Sequence, residues 1–296
     1  MSEKHTDGKL EQLETELLLE ALLRYYGYDF RDYEPGAVRR RIREAMLAGR
    51  VSTISRFQER MLREPAFLER FVRSFSRTGL SMFSGPGFYR AFRTKVVPQL
   101  RTYPFARIWH AGCSTGEEVY SLAILLGEEK INQRTRIYAT DLSEEVVRQA
   151  RAGSFPASAA DVFAGNYLEA GGKGSLKDYF KKKGRRLFID PSLKKNIVFS
   201  EHNLATDGSF NEFQVIICRD VLGNFNHKLR ERAGRLIYDS LSHFGILALG
   251  AKESLDELPY EDDYAELDRE GRLYQKHGST VISAAGGMEE KEAQRV

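Results

Sequence analysis

At 296 residues, with 42% hydrophobic and 29% charged residues, the chain has the composition of a globular protein, not of a disordered, collagen-like or membrane one. At roughly 150 residues per domain it holds about two domains and needs neither disulfides nor a metal to bury a core. Its 45 basic and 42 acidic residues leave a net charge of +3, too small a field to imply nucleic acid. No run approaches the roughly 18 apolar residues of a membrane span. The polar, acidic MSEKHTDGKLEQLETE lacks the basic end and apolar run of a signal peptide, so a cytoplasmic protein without membrane insertion is expected.

Residues 1–76 read as a small helical domain. Leu10, Leu13, Leu17, Leu18, Leu22 and Leu23 recur at three- and four-residue steps, the spacing of one helical face. Tyr25, Tyr26, Tyr28 and Tyr33 read as the packing that ends this helix. Pro35-Gly36 breaks the chain ahead of AVRRRIREAMLAGR, where Arg39, Arg40, Arg41, Arg43 and Arg50 face a single acid, Glu44. Such a run is either a solvated face or a surface for an acidic protein partner. Ser52 or Thr53 caps a third helix to Arg63, and Pro65 opens a fourth that ends near Phe75. Residues 77–104 read as a linker.

From residue 105 to 283 the period changes. Apolar runs at Ile108 to Cys113, Arg136 to Thr140, Asn196 to Ser200, Phe213 to Cys218 and Gly245 to Gly250 alternate with helical stretches. This predicts an α/β domain with a mainly parallel sheet and helices on both faces. The insertion at about 155–195 is long for a plain crossover and predicts a small subdomain, with a basic cluster at Lys181, Lys182, Lys183, Arg185 and Arg186. GSTVIS, with RLYQKH before it, suggests an antiparallel edge hairpin, and residues 284–296 a disordered tail. Cys113 and Cys218 sit in apolar runs and read as reduced core thiols.

Two signals carry chemistry. In IWHAGCSTGEEVYSLAILL an apolar strand ends in the small residues Ala111 to Gly116, and a helix follows from Glu117 or Glu118. Small residues let backbone approach a ligand, and helix amides favour a polar group. The turn does not match the phosphate-binding Gly-x-x-x-x-Gly-Lys pattern, and the acids suit a ligand with hydroxyls or positive charge; a tight turn with acids at a helix start is the plain alternative. In RIYATDLSEE, Asp141 stands at the end of the second strand, 25 residues past Gly116. An acid there either accepts the hydroxyls of a ribose at the strand-order switch point or caps a helix. Together the signals point to an adenosine cofactor, and the missing phosphate site favours S-adenosylmethionine over a dinucleotide. Trp109 and Tyr120 read as core and pocket wall. His110 has no second ligand at metal spacing, so no metal is expected.

WHAGCSTGEEVYSLA, IYATDLS, FSEHNL, VIICRDVLGNFN and the late LALG strand resemble the CheR-type chemotaxis-receptor methyltransferases over nearly the whole chain. The resemblance implies a helical domain followed by a Rossmann-like class I methyltransferase domain with an inserted β-subdomain. It also implies methyl transfer from S-adenosylmethionine to receptor glutamates, leaving S-adenosylhomocysteine. The implied cofactor residues are Gly112, Glu118, Asp141, Asn203, Leu204, Cys218 and Arg219. Arg39, Arg40, Arg41 and Arg43 are implied to face an acidic partner such as a chemoreceptor cytoplasmic helix.

The chain departs from the family where its motifs are tightest. The linker motif Asn-x-Thr-x-[Phe/Met]-Phe-Arg-Asp-Pro reads Thr78-Gly79-Leu80-Ser81-Met82-Phe83-Ser84-Gly85-Pro86, and the active-site tyrosine is Asn224. A lost charge-assisted bond to the cofactor weakens binding by about 1.5 to 3 kcal/mol unless a base such as Arg77 substitutes. The expectation is a degenerate site, weakly active or non-catalytic, that still takes the cofactor. An active receptor-glutamate methyltransferase and a cofactor-free interaction module are the alternatives. A nucleic-acid or small-molecule methyltransferase would want a broad basic surface or an apolar lid.

Overall fold

The computed structural model describes residues 3–76 and 81–277. The first part is a bundle of α1 (Glu3–Tyr26), α2 (Pro35–Gly49), α3 (Ile54–Arg63) and α4 (Pro65–Arg73). Pro35 and Pro65 occupy first-turn positions, where the absent N–H has no helical partner to lose. Thr53 caps α3, its hydroxyl accepting the Arg56 amide at 3.2 Å. Leu18 and Leu22 pack with Phe57, Met61 and Phe71, and Phe30 stacks on Phe75 at 4.2 Å. Leu10, Leu13 and Leu17 are instead exposed. The leucine stripe is therefore buried only in its second half. Earlier along α1 the neighbours are met by Glu11, paired with Arg43 at 2.7 Å, and by Glu14, which accepts the Ser55 amide at 3.1 Å.

The stretch expected as a linker carries a helical rod. It runs through α5 (Pro86–Ala91), a π-helical segment (Phe92–Val96) and α6 (Val97–Leu100). Pro98 gives a physical reason for the wider turn: it cannot donate to the preceding turn and its ring crowds the carbonyl there. Phe88, Tyr89, Phe92, Val96 and Val97 are buried on the main core.

The second part interleaves β1 (Ala106–Ala111), α7 (Glu117–Glu128), β2 (Thr135–Asp141), α8 (Glu144–Ala152), β3 (Ser154–Pro156), α9 (Ala160–Glu169), β4 (Phe180–Lys183), β5 (Arg186–Ile189), β6 (Ile197–Glu201), β7 (Phe213–Cys218), α10 (His227–Ser240), β8 (Leu241–Leu249), β9 (Tyr264–Asp268) and β10 (Leu273–Lys276). The main sheet has the order β6-β2-β1-β7-β8-β10-β9. Its first five strands are parallel, and β10 and β9 add an antiparallel edge. Alternation along β1 sends Ile108 and Trp109 to opposite faces of the sheet, and the core on the Trp109 face is continuous with that of the helical bundle. The order reverses between β1 and β7, which opens a crevice at their carboxyl ends.

The edge hairpin differs from expectation. RLYQKH does supply β10, but its partner is the preceding β9; GSTVIS and the expected tail lie outside the described residues. A turn closes the hairpin, with the Gly271 amide donating to Asp268 Oδ1 at 2.7 Å. The insertion between α8 and β6 forms a three-stranded antiparallel sheet, β3-β5-β4, with α9 beside it. Both cysteines are buried and unbridged, and burial pushes the Cys113 thiol well above its ordinary range. Among the described residues no helix is long and apolar enough to cross a membrane.

Glu128 and Glu129, at the end of α7, tie the rod and the insertion together. Arg93 pairs with both, at 2.8 Å to Glu129; Lys173 reaches Glu129 at 2.8 Å, and the Tyr167 hydroxyl donates to Glu128. Arg93→Ala leaves buried carboxylates without their main cation. It is expected to cost about 3 kcal/mol, read as a lower denaturant midpoint at unchanged slope, with Lys173 and Arg101 limiting the loss.

Candidate functional site

The turn after β1 is built for close approach. Gly112 has φ 75°, and a Cβ there would lie 2.4 Å from a Val221 methyl; Gly116 has φ 94°, and a Cβ would lie 3.2 Å from the Ala150 Cα. The Gly112 and Cys113 amides both donate to the Thr140 carbonyl at 2.8 Å, and the Trp109 indole donates to the Thr140 hydroxyl at 2.9 Å. The carboxyl ends of β1 and β2 are thus locked together. Trp109 and Tyr120 are both fully buried, and the Tyr120 hydroxyl donates to the Ala150 carbonyl.

Asp141 closes β2 and is buried. Its Oδ2 accepts the Ser114 amide at 2.8 Å and its Oδ1 accepts the Ser76 hydroxyl at 2.6 Å. Burial pushes its carboxyl above the ordinary aspartate range, and these bonds, with the Ser143 and Leu142 amides, work in the other direction. The side chain that caps α8 is Ser143, which accepts the Val146 amide. Helix capping therefore does not account for Asp141.

Asp141 faces a small cavity, about 50 Å³, lined also by Gly112, Asn203, Leu204, Val221 and Asn224. Tyr33, Phe75 and Ser76 bring the helical domain to its wall. The His202 amide bonds the Asp141 carbonyl at 3.0 Å, and Asn203 holds its loop by accepting the Ala205 amide at 2.9 Å. An adenosine suits this surface: an acceptor for hydroxyls at Asp141, apolar walls at Phe75, Leu142, Leu204 and Phe225, and bare backbone at Gly112.

Glu118 and Arg219 do not line that cavity. They form a buried ion pair at 2.6 Å beside it, with the His110 ring 3.6 Å from the other Glu118 oxygen and the Phe88 ring 4.4 Å from the guanidinium. Burial works most strongly against the Arg219 charge, and Glu118 together with Tyr89, Asp220 and Glu253 more than restores it. Arg219 borders a separate cleft with Gly85, Leu249 and Gly271, and Cys218 lies wholly in the core. Of the divergent positions, Thr78 and Leu80, with Arg77, lie outside the described residues. Ser84 is half-buried next to Gly85, where a Cβ would lie 3.0 Å from an Arg219 nitrogen. Asn224 stands on the cavity wall, its amide oxygen accepting from Arg41 at 2.9 Å.

That bond corrects the basic face. Arg39, Arg40 and Arg43 are exposed, Arg43 paired with Glu11, whereas Arg41 turns inward. Its position three residues after Val38 and next to Ile42, both buried, carried that signal in the helical period. Two further residues gave less warning. Ser76 reaches Asp141 across 65 positions. Glu253, in a polar loop, accepts the Asp220, Leu222 and Gly250 amides at 2.8, 2.7 and 2.7 Å and so fixes the loop from Arg219 to Asn224.

Comparison with known proteins agrees with this architecture. Residues 13–76 match the CheR methyltransferase all-alpha domain and residues 81–269 the CheR methyltransferase SAM binding domain, in agreement with the cofactor expectation. A Pseudomonas putida protein, Cher3, whose name carries a provisional methyltransferase assignment, is 40% identical over 275 residues, 93% of this chain and 99% of that one. The chemotaxis protein methyltransferase of Listeria innocua is 27% identical over 231 residues, 77% of this chain and 85% of that one. Chemotaxis protein methyltransferase 1 of Pseudomonas aeruginosa is 31% identical over 186 residues, 58% and 64% of the two chains. The N-methyltransferase NodS of Bradyrhizobium japonicum is a far looser structural match, with a TM-score of 0.33 and 11% identity over 58% of this chain and 63% of that one. On the match of both domains and the full-length relative, the chain belongs to the CheR methyltransferase family.

Proposed function

We propose that the chain binds S-adenosylmethionine, or the S-adenosylhomocysteine left after transfer, at Gly112 and Asp141. It passes the methyl group slowly to carboxylates of an acidic protein partner in chemotaxis-type signalling. The observation that carries this reading is the single cavity holding Gly112, Asp141, Asn203 and Leu204 together with Asn224. Asp141 accepts from the Ser76 hydroxyl and from the Ser114, Ser143 and Leu142 amides, about as many donors as an ionised carboxylate takes, so a ribose hydroxyl binds there by displacing the Ser76 hydroxyl. Leu204 and Phe75 wall the purine. The Glu118–Arg219 pair sets the charge near the other end of the cofactor. The cofactor supplies an electrophilic methyl group on a sulfonium.

A glutamate acceptor is ionised at neutral pH, its ordinary pKa being about 4.3. Its oxygen forms the new bond to the methyl carbon as the carbon–sulfur bond breaks, the electron pair stays on sulfur, and no proton moves. The protein adds in-line positioning and exclusion of water. Ser84 and Asn224, in place of the family's arginine and tyrosine, therefore slow the reaction without removing a required base. Exposed Arg39, Arg40 and Arg43 offer the docking face for a partner such as a chemoreceptor cytoplasmic helix. A second reading, cofactor-responsive docking without turnover, is favoured by the Ser76 hydroxyl that already occupies Asp141.

Calorimetric titration of the full chain with S-adenosylmethionine and S-adenosylhomocysteine is expected to give micromolar binding, and no heat with no melting shift would reject the cofactor site. Asp141→Asn should weaken binding at least about tenfold. Because burial raises the carboxyl pKa, the folded chain takes up this proton before the unfolded one, so the unfavourable contribution of the charge to stability at neutral pH vanishes on acidification. Cofactor affinity, which needs the ionised acceptor, should fall over the same range, above the pH of an ordinary aspartate. Wild type is also expected to place a slow, base-labile methyl label on a glutamate-rich peptide; absence of label at saturating cofactor would leave the docking reading.

A further inference from the structure

Arg41 is half-buried and makes three contacts inward from α2. Its Nε donates to the Ser74 carbonyl at 2.8 Å, its Nη2 donates to Asn224 Oδ1 at 2.9 Å, and the guanidinium carbon lies 4.7 Å from the centre of the Phe75 ring. The 183-residue separation of Arg41 and Asn224 makes this a bond between the helical bundle and the loop after β7.

Arginine carries donors only. The amide oxygen of Asn224 must therefore face Arg41, and its NH₂ group must point elsewhere. One N–H reaches the Val221 carbonyl at 3.2 Å, and Asn224 lines the cavity shared with Asp141 and Gly112. What this side chain offers the cavity is a hydrogen-bond donor, polarised by the guanidinium behind it. An untethered asparagine would present its oxygen as readily as its nitrogen. An oxygen there repels a carboxylate.

We propose that Arg41 is a positioning residue that fixes the Asn224 amide as a donor to the carboxylate of the methyl acceptor. This rests on the reading of the cavity given above and deepens it by supplying the substrate-side anchor. It separates Arg41 from Arg39 and Arg40, whose exposed charges act on the partner's surface as a whole.

The test is calorimetric binding of a glutamate-rich helical peptide, with its all-glutamine counterpart as control, to the full chain saturated with S-adenosylhomocysteine. Wild type is expected to bind the glutamate peptide in preference. Arg41→Ala should weaken that binding by about five- to tenfold, with affinity for S-adenosylhomocysteine changed less than about twofold. In an Asn224→Ala background the same change should cost less than about twofold, because the group it orients is gone. Arg41→Lys, which keeps a donor, should recover part of the loss. Equal losses in both backgrounds would make Arg41 one more charge of α2 and overturn the proposal, as would unchanged binding in Arg41→Ala. Should Arg41→Ala fail to fold, Asn224→Asp still satisfies Arg41 but presents only acceptors. It has to abolish binding of the glutamate peptide, and retained binding overturns the proposal. A wild type that binds S-adenosylhomocysteine but not the glutamate peptide overturns the anchor alone; one that binds no S-adenosylhomocysteine overturns the cofactor reading instead.

Discussion

A buried carboxylate holds the parts of this molecule in register. Asp141 ends β2, takes the amide of the glycine turn through Ser114, and takes the last hydroxyl of the helical bundle through Ser76. Removing such a group from water is unfavourable, and each donor around it offsets part of that cost. The donors come from three separate segments, so the charge is tolerated only when strand, turn and bundle are all in place. The same convergence makes the site: the side chain that unites the segments is the one facing the cavity.

Around that point the loop after β7 is held from two sides. Glu253 collects three backbone amides and fixes Asp220 in a left-handed conformation, φ 56°, against Gly250. A Cβ at Gly250 would lie 2.5 Å from the Asp220 amide nitrogen, so that close approach needs glycine. From the other side Arg41 and the Glu34 amide take the Asn224 side chain and carbonyl. Where the family has a tyrosine, this chain has a smaller side chain with its own partner in the bundle.

Much of this was legible in the sequence because it rests on local signals. Of the five parallel strands, β1, β2, β7 and β8 appear as apolar runs because a strand covered on both faces has little solvent side to mark, whereas β6 lies at the edge with only Phe199 buried. Thr53 and Pro65 punctuate their helices by backbone chemistry alone. The glycine turn and Asp141 stood out by residue type and spacing, although Glu118 and Arg219, read as part of the same pocket, pair with each other beside it. The rest depends on contacts between distant positions. Ser76 and Glu253 are ordinary polar residues in their own neighbourhoods, and only the folded chain gives them partners. Arg41 was hidden by company, one of four arginines in five residues, although the buried period of Val38 and Ile42 singled it out. The β9 strand, YAELD, alternates too weakly to compete with GSTVIS as the expected hairpin partner.

The carboxyl end of α7 has a bearing on how the chain assembles. Two glutamates occupy the end of a helix where the backbone dipole already concentrates negative charge, an unfavourable placement for an isolated segment. The cations that reverse it, Arg93, Arg101 and Lys173, arrive from the helical rod before the sheet, the turn that follows it and the inserted subdomain. The last turn of α7 therefore gains its stability from neighbours rather than from its own sequence. Completion of the helix that begins at the glycine turn is coupled to docking of the insertion some 40 residues later, so that the ligand-facing end and the remote end of one helix mature together.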